Sequence, residues 1–399
     1  MHPNLRLCAA LIAVVTVASA CGSDADSESS TPSVDLSQLE TGSYQSTPRD
    51  PNMSKADATG QAIEAVRLGA AVPLPYDVDR SYAFQRLNSP RLRSTSKLPG
   101  SMTKIDPAEF HEVTDGLIAG WKSSGERREQ PFLGRQAWIH VYRFETEAQA
   151  AIAAERIPAK QQKLGTGQRV EIPGYPAARN NWAGSVLDSW MAKGPMVFGV
   201  RIDDPMTEPP DPAAAIDFTQ KAYAKIIEMQ AGYSPTPVDK IAALPIDTDG
   251  MLSRTLPGEE DHRIDPLVPE GAVEPTQAAL ARDEFPGTTK PALVDAGVDL
   301  ISSESTLARV YRAENTKAAQ RLMAALIEPY SRFMKPIDSP RNLPDAKCFD
   351  RKDSSASSSG LTPICYVVYD RFLARVTASS VQDLHHRTAA QYKLLAVDR

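Results

Sequence analysis

The sequence has four cysteines in 399 residues. It has no H-E-x-x-H, no G-x-S-x-G and no glycine-rich phosphate loop opening a helix. These absences remove the common local signatures of zinc proteases, serine hydrolases and P-loop enzymes. The acidic run Asp247-Thr248-Asp249-Gly250 lacks the third oxygen ligand and the late glutamate of an EF-hand, so it reads as a polar turn. Basic clusters are missing as well. Lysine plus arginine number 44 against 50 acidic residues, a net charge of −6. A mildly acidic body leaves no electrostatic footprint for nucleic acid, and none for anionic lipid surfaces. No cofactor or metal ligand set stands out. His385-His386 fall on one helix with their side chains about 100° apart. The cluster Glu259, Glu260, Asp261, His262 and Asp265 reads as an exposed acidic loop.

The clearest positive signal is at the N-terminus. Arg6 precedes an uncharged apolar run over residues 7–17, followed by Ala18-Ser19-Ala20-Cys21. This is the layout of an export signal. The run is too short to span a bilayer, which takes about 20 apolar residues. Cysteine directly after small residues is the pattern of a bacterial lipoprotein signal, with Cys21 as the lipidation site. Ala18 stands where leucine is usual, and Ala18-Ser19-Ala20 also suits ordinary signal peptidase, so soluble secretion is the alternative. The sequence therefore predicts a signal peptide over residues 1–20 and a polar tether over 21–40. The expected location is the outer face of the cytoplasmic membrane.

Cys8 leaves with the signal and Cys21 carries the lipid. Cys348 and Cys365 remain, an even pair in an exported chain, and are expected to form a disulfide closing the serine-rich loop at 354–360.

Proline is frequent, 32 of 399 residues, which favours turns and argues against a helical bundle. Apolar periodicity predicts helices over residues 57–70, 147–157, 211–230, 315–327 and 381–396. Alternation predicts strands over 136–144, 190–202, 294–301, 306–312, 365–369 and 372–378. Residues 110–121 read as mixed, with Gly116 and Gly120 pointing to turns. Ser234-Pro235-Thr236-Pro237 is the expected linker between an N-terminal domain, 41–233, and a C-terminal domain, 238–399. All four tryptophans fall in the first half. They read as core, with Trp182 the one placed to meet a ligand.

Val141-Tyr142-Arg143-Phe144-Glu145 returns as Val310-Tyr311-Arg312-Ala313-Glu314. Each motif ends a strand and leads into a capped helix, and the helix faces correspond at the same spacing. Met196, Phe198, Val200 and Ile202 correspond to Phe372, Ala374, Val376 and Ala378. Two unrelated strand–helix units would give some of this signal, but order and spacing agree along with residues. The expected fold is α+β: two tandem, repeat-related domains, each a mainly antiparallel sheet with helices on one face.

Several stretches carry a wider likeness. They are Glu64-Ala65-Val66-Arg67-Leu68, Val72-Pro73-Leu74-Pro75, Ile172-Pro173-Gly174-Tyr175-Pro176, Asp249-Gly250-Met251-Leu252 and Gln382-Asp383-Leu384-His385. On these the chain resembles an uncharacterised family of actinobacterial cell-envelope lipoproteins, a domain of unknown function covering nearly all of the mature chain. The resemblance implies export, lipidation and a two-domain layout, and implies no activity. Each half is also similar in outline to the small α+β modules of other envelope lipoproteins and kinase sensor domains. The functional expectation is a non-catalytic binding or interaction module, anchored to the membrane through its lipid and meeting an envelope protein or amphiphile. A carrier of an envelope lipid is the first alternative and an enzyme without a local motif the second.

Overall fold

The computed structural model describes residues 34–85, 91–93, 105, 107–130, 133–162, 167–258, 271–304, 307–352 and 361–397. Among the described residues from Leu36 onward, two antiparallel sheets carry the helices. The first half contains α1 (Thr59–Gly69), β1 (Arg91–Arg93), α2 (Pro107–Val113), β2 (Leu117–Glu126), β3 (Gln136–Phe144) and α3 (Glu147–Gln162). It continues with β4 (Arg179–Ala183), β5 (Val186–Lys193), β6 (Met196–Asp203) and α4 (Ala213–Gln230). The second half contains β7 (Gly271–Pro275), α5 (Pro286–Asp295), β8 (Leu300–Glu304), β9 (Ala308–Arg312) and α6 (Thr316–Ile327). It ends with β10 (Met334–Ile337), β11 (Lys347–Arg351), β12 (Ile364–Tyr369), β13 (Phe372–Thr377) and α7 (Val381–Leu395).

The strand orders are β1-β2-β3-β6-β5-β4 and β10-β11-β12-β13-β9-β8-β7. Read from opposite ends, β2-β3-β6-β5 and β8-β9-β13-β12 are the same arrangement. A helix follows β3 and β9, and another follows β6 and β13. The repeat read from the sequence is thus a repeat of topology. Its local signals also take their expected roles. Asn315 caps α6 by accepting from the Ala318 N–H, and Ser380 caps α7 by accepting from Asp383. Gly194 and Asp370 turn the β5–β6 and β12–β13 hairpins with positive φ.

The expected helical face gains a second layer in both halves. On β3, Ala137, Ile139 and Val141 join the core beneath α1 and α4, while Tyr142 and Phe144 join a second core beneath α3. On the second sheet, α6 packs over Tyr311, Tyr366 and Leu373, and α7 covers the opposite face with Ala390 and Leu394 against Ala308. Central strands buried on both sides explain why β2 has no simple alternation: all ten of its residues are buried.

One cluster of buried apolar residues runs from Ala65 in α1 through Leu280 to Leu373 in β13. The stretch before α1 lies along the second half as a strap. Asn342 donates to the Gln38 carbonyl at 3.0 Å, Arg387 Nε donates to the Tyr44 hydroxyl at 2.9 Å, and Arg49 pairs with Glu304.

Candidate functional site

The residues singled out in the sequence end in different surroundings. Cys348 and Cys365 are bridged, directly opposite each other on β11 and β12 with Cα atoms 4.1 Å apart. Cys21, the acidic cluster at 259–265 and the serine-rich loop at 354–360 lie outside the described residues. Asp247 accepts from the Leu252 and Ser253 N–H groups at 2.8 and 3.1 Å, and Asp249 pairs with Arg312 at 2.8 Å, so both carboxylates are used within a polar turn. Trp182 is 5% exposed and belongs to the core. His385 Nε2 lies 2.9 Å from the Asp338 carbonyl. Among the described residues no group of three or more histidine, cysteine, aspartate and glutamate side chains is arranged to hold a metal.

Residues that the sequence did not mark as a site occupy matching places in the two sheets. In the first sheet a row of paired positions reads Lys122, His140, Gly199, Trp190. In the second sheet the same row reads Ser303, Arg309, Arg375, Tyr366. Tyr142 and Tyr311 stand one step along on the same face. Gln161, at the end of α3, and Tyr330, just beyond α6, close each row from above at equal spacing from the repeated motif.

In the first half this place is filled. Trp190 lies over Gly199, where a Cβ would meet the indole ring at 2.4 Å. Its Nε1 donates to Gln161 Oε1 at 2.8 Å. His140 is 1% exposed, 5.6 Å from the Trp190 ring between centroids, with Nδ1 3.2 Å from the Tyr142 hydroxyl. Burial, reinforced by the cations of Lys122 and Arg201, drives its pKa down to about 3. Burial also lowers the Lys122 ammonium to about 8.

In the second half Arg375 stands where the first half has glycine. It faces Arg309 directly across β9 and β13, and both side chains are half-buried. Directly opposed like charges destabilise a sheet, so this pair requires compensating partners. Arg309 lies beside the Tyr311 phenol and Arg375 beside the Tyr366 and Tyr330 phenols. Tyr366 in turn donates to the Leu326 carbonyl at 3.4 Å. Burial pushes the Tyr366 phenol up to about 12, with Arg375 opposing, so it stays neutral and available as a donor. Arg282 reaches Ser303 Oγ, in the same row, at 3.1 Å while pairing with Glu274.

The segment 283–285 adjoins these residues: Asp283 accepts from the Phe285 N–H at 2.9 Å, and Glu284 neighbours Tyr330 and Arg375. Burial raises the Glu284 pKa and the nearby Arg375 lowers it, with the net shift upward. Phe285 packs edge-on between Phe84 and Tyr330, at centroid distances of 6.4 and 5.6 Å. Two backbone bonds fix this segment to the first half, Gln85 N–H to the Glu284 carbonyl at 3.0 Å and Gly287 N–H to the Ala83 carbonyl at 3.2 Å. The result is a half-buried pair of guanidiniums with phenols around them and aromatic rings to one side. Guanidiniums and neutral phenols hold oxyanions; they do not by themselves make a nucleophile. A separate open groove of about 640 Å³ is lined by Asp57, His111, Asp115, Glu145, Val238 and Ile241. It is open to solvent, and three carboxylates stand in a lining that mixes polar and apolar residues.

No curated protein matches the chain. Among solved structures, the extracellular domain of PknH from Mycobacterium tuberculosis is similar at 11% identity with a TM-score of 0.30, over 42% of this chain and 96% of that one. Residues 52–246 match the N-terminal domain of unknown function DUF7373, and residues 251–398 match its C-terminal domain. Together these matches take in most of the sequence, and the chain belongs to the DUF7373 family.

Proposed function

We propose that this protein is an actinobacterial envelope lipoprotein, held on the outer face of the cytoplasmic membrane by a lipid on Cys21, whose body is a non-catalytic binding module. The anchoring part rests on the leader, Arg6 followed by the short apolar run and Ala18-Ser19-Ala20-Cys21. The Cys348–Cys365 bridge fits an oxidising compartment. Among the described residues no helix is long and apolar enough to cross a membrane, so the lipid is the membrane attachment in this reading.

The observation that carries the binding reading is the directly opposed, half-buried Arg309 and Arg375 on β9 and β13. Two adjacent cations on one sheet face favour a ligand over a packing role, because packing alone is served by the glycine and tryptophan of the first half. An amphiphile is the second reading. It is favoured by the Phe84, Phe285 and Tyr330 rings beside the arginines.

Capture from detergent-solubilised envelope tests this. Immobilised wild-type protein should retain a defined lipid or protein species, and Arg309→Gln with Arg375→Gln should lose it. Equal retention by both removes the arginine pair as the binding site. Labelled fatty acid should enter the wild-type chain and not Cys21→Ser; absence of label from the wild type removes the anchor.

A further inference from the structure

We infer that the strap, residues 36–54, is the displaceable occupant of a peptide-docking groove on the second half, and that the groove takes from a partner protein an extended segment bearing an aliphatic residue, a tyrosine and an arginine. The inference goes beyond the binding reading above and uses neither Arg309 nor Arg375. The strap is itself a seated segment, and its contacts state what the groove recognises.

Three side chains, spaced five residues apart, carry the attachment. Leu39 is 4% exposed. Tyr44 packs against Leu256, Ala308, Ala390 and Leu394, with the Arg387 guanidinium 5.0 Å from the centre of its ring. Its hydroxyl donates to the Asp383 carboxylate and accepts from Arg387 Nε at 2.9 Å. Arg49 pairs with Glu304, whose side chain is buried. The rest of the strap is held lightly. Of residues 36–54, Leu39 and Ser54 alone are buried. The Leu39, Tyr44 and Met53 N–H groups bond within the strap, to the carbonyls of Leu36, Thr41 and Asp50, so these bonds need not break when it lifts. Glu40 and Arg341 stand 3.7 Å apart, both largely exposed, a pair that contributes little. A cavity of about 200 Å³ remains between Glu40 of the strap and Gln382, His385 and His386 of α7, so the contact falls short of interior packing.

What the strap uncovers defines its replacement. Without Arg49, Glu304 is a buried carboxylate that has lost its cation, a costly state, so a competitor must bring a cation. Without Tyr44, apolar surface of Leu256 and Leu394 meets water and the hydroxyl between Asp383 and Arg387 is gone. A competitor must therefore bring an aromatic ring with a hydroxyl. Being part of the same chain, the strap competes at an effective concentration of about millimolar, which keeps the groove closed to segments that do not match it.

The test uses a fluorescent synthetic peptide of residues 36–54 and full-length Cys21→Ser protein, with binding read by anisotropy. The same chain carrying Tyr44→Ala and Arg49→Gln keeps the groove and weakens its occupant. It should bind the peptide at least tenfold more tightly than the chain with the unaltered strap. Peptides carrying Tyr44→Ala or Arg49→Gln should each bind it at least tenfold more weakly. Hydrogen exchange should quicken in the strap of the double variant and stay unchanged in α1. If α1 loses protection, the unaltered chain decides the matter: isotope-labelled peptide at about 1 mM should displace the resident strap and quicken its exchange. Equal affinity with and without the strap changes, indifference to the two peptide substitutions, or strap exchange that excess peptide does not alter overturns the inference.

Discussion

Glu64 in α1 and Arg143 at the end of β3 form an ion pair with both side chains buried. The same carboxylate accepts from the Thr236 N–H at 3.1 Å and the Thr236 hydroxyl at 2.6 Å, and also from the Tyr233 hydroxyl. Arg143 donates in turn to the Thr236 carbonyl. The segment expected as a linker is therefore pinned to the first half by a satisfied buried network. Removing one partner of such a pair strands the other charge in the interior. Glu64→Ala should lower stability by about 3–5 kcal/mol, read by urea unfolding followed by tryptophan fluorescence. A loss under about 1 kcal/mol would show that water replaces the network.

The Cys348–Cys365 bridge joins positions 17 apart in sequence. A loop of that size gives about 3 kcal/mol on the chain-entropy account. The oxidised folded protein should show no thiol reaction at either position. Reduction should lower the unfolding midpoint, as should the double serine variant. Two reactive thiols in the native protein would rule the bridge out in solution.

His140 makes stability depend on acid. The unfolded chain takes a proton on this histidine near pH 6.5, and the folded chain not until about 3. Between those values the unfolded state binds the extra proton, so stability falls as pH drops from 6.5 toward 3. Lys122 acts in the alkaline range. Folded Lys122 releases its proton near 8 and the unfolded chain near 10.5, so raising the pH through that window favours the folded state. His140→Phe should flatten the acid limb and Lys122→Met the alkaline one, in denaturant midpoints measured against pH. An unchanged acid slope in His140→Phe would mean that other groups set it.

Gly199→Ala places a methyl where the Trp190 ring now lies. The indole must move away from Gln161 and His140, and overpacking of this kind costs about 1–3 kcal/mol. A shift in the near-ultraviolet circular dichroism of tryptophan should accompany that loss. The matching change in the second half, Arg375→Gly, should leave the tryptophan signal unaltered.

Helix positions were legible because their apolar faces are one-sided and their caps are local. Asn315 and Ser380 are examples, and α3 and α7 start at the expected residues. Hairpin turns at Gly194 and Asp370 were legible for the same local reason. β2 was not. Gly120 breaks its propensity, and Lys122, Ser123, Ser124 and Glu126 are polar residues buried by tertiary packing that no window of sequence contains. α5 was also missed, since its residues include Pro286, Gly287 and an internal Pro291. Arg309 and Arg375 looked like ordinary polar positions of two strands. Their pairing depends on the register of β9 against β13, which bridges 66 residues of chain only in the fold. The repeat was the one available hint, since it aligns Arg309 with His140.

A pull on the chain ahead of Leu36 is borne first by the strap and its side-chain contacts to Asn342, Arg387 and Glu304. No strand of either sheet includes the strap. Its removal breaks no ladder bonds and pays out residues 36–54, about 60 Å of extended chain. Tension applied ahead of Leu36 would therefore lift this stretch before it reached either sheet.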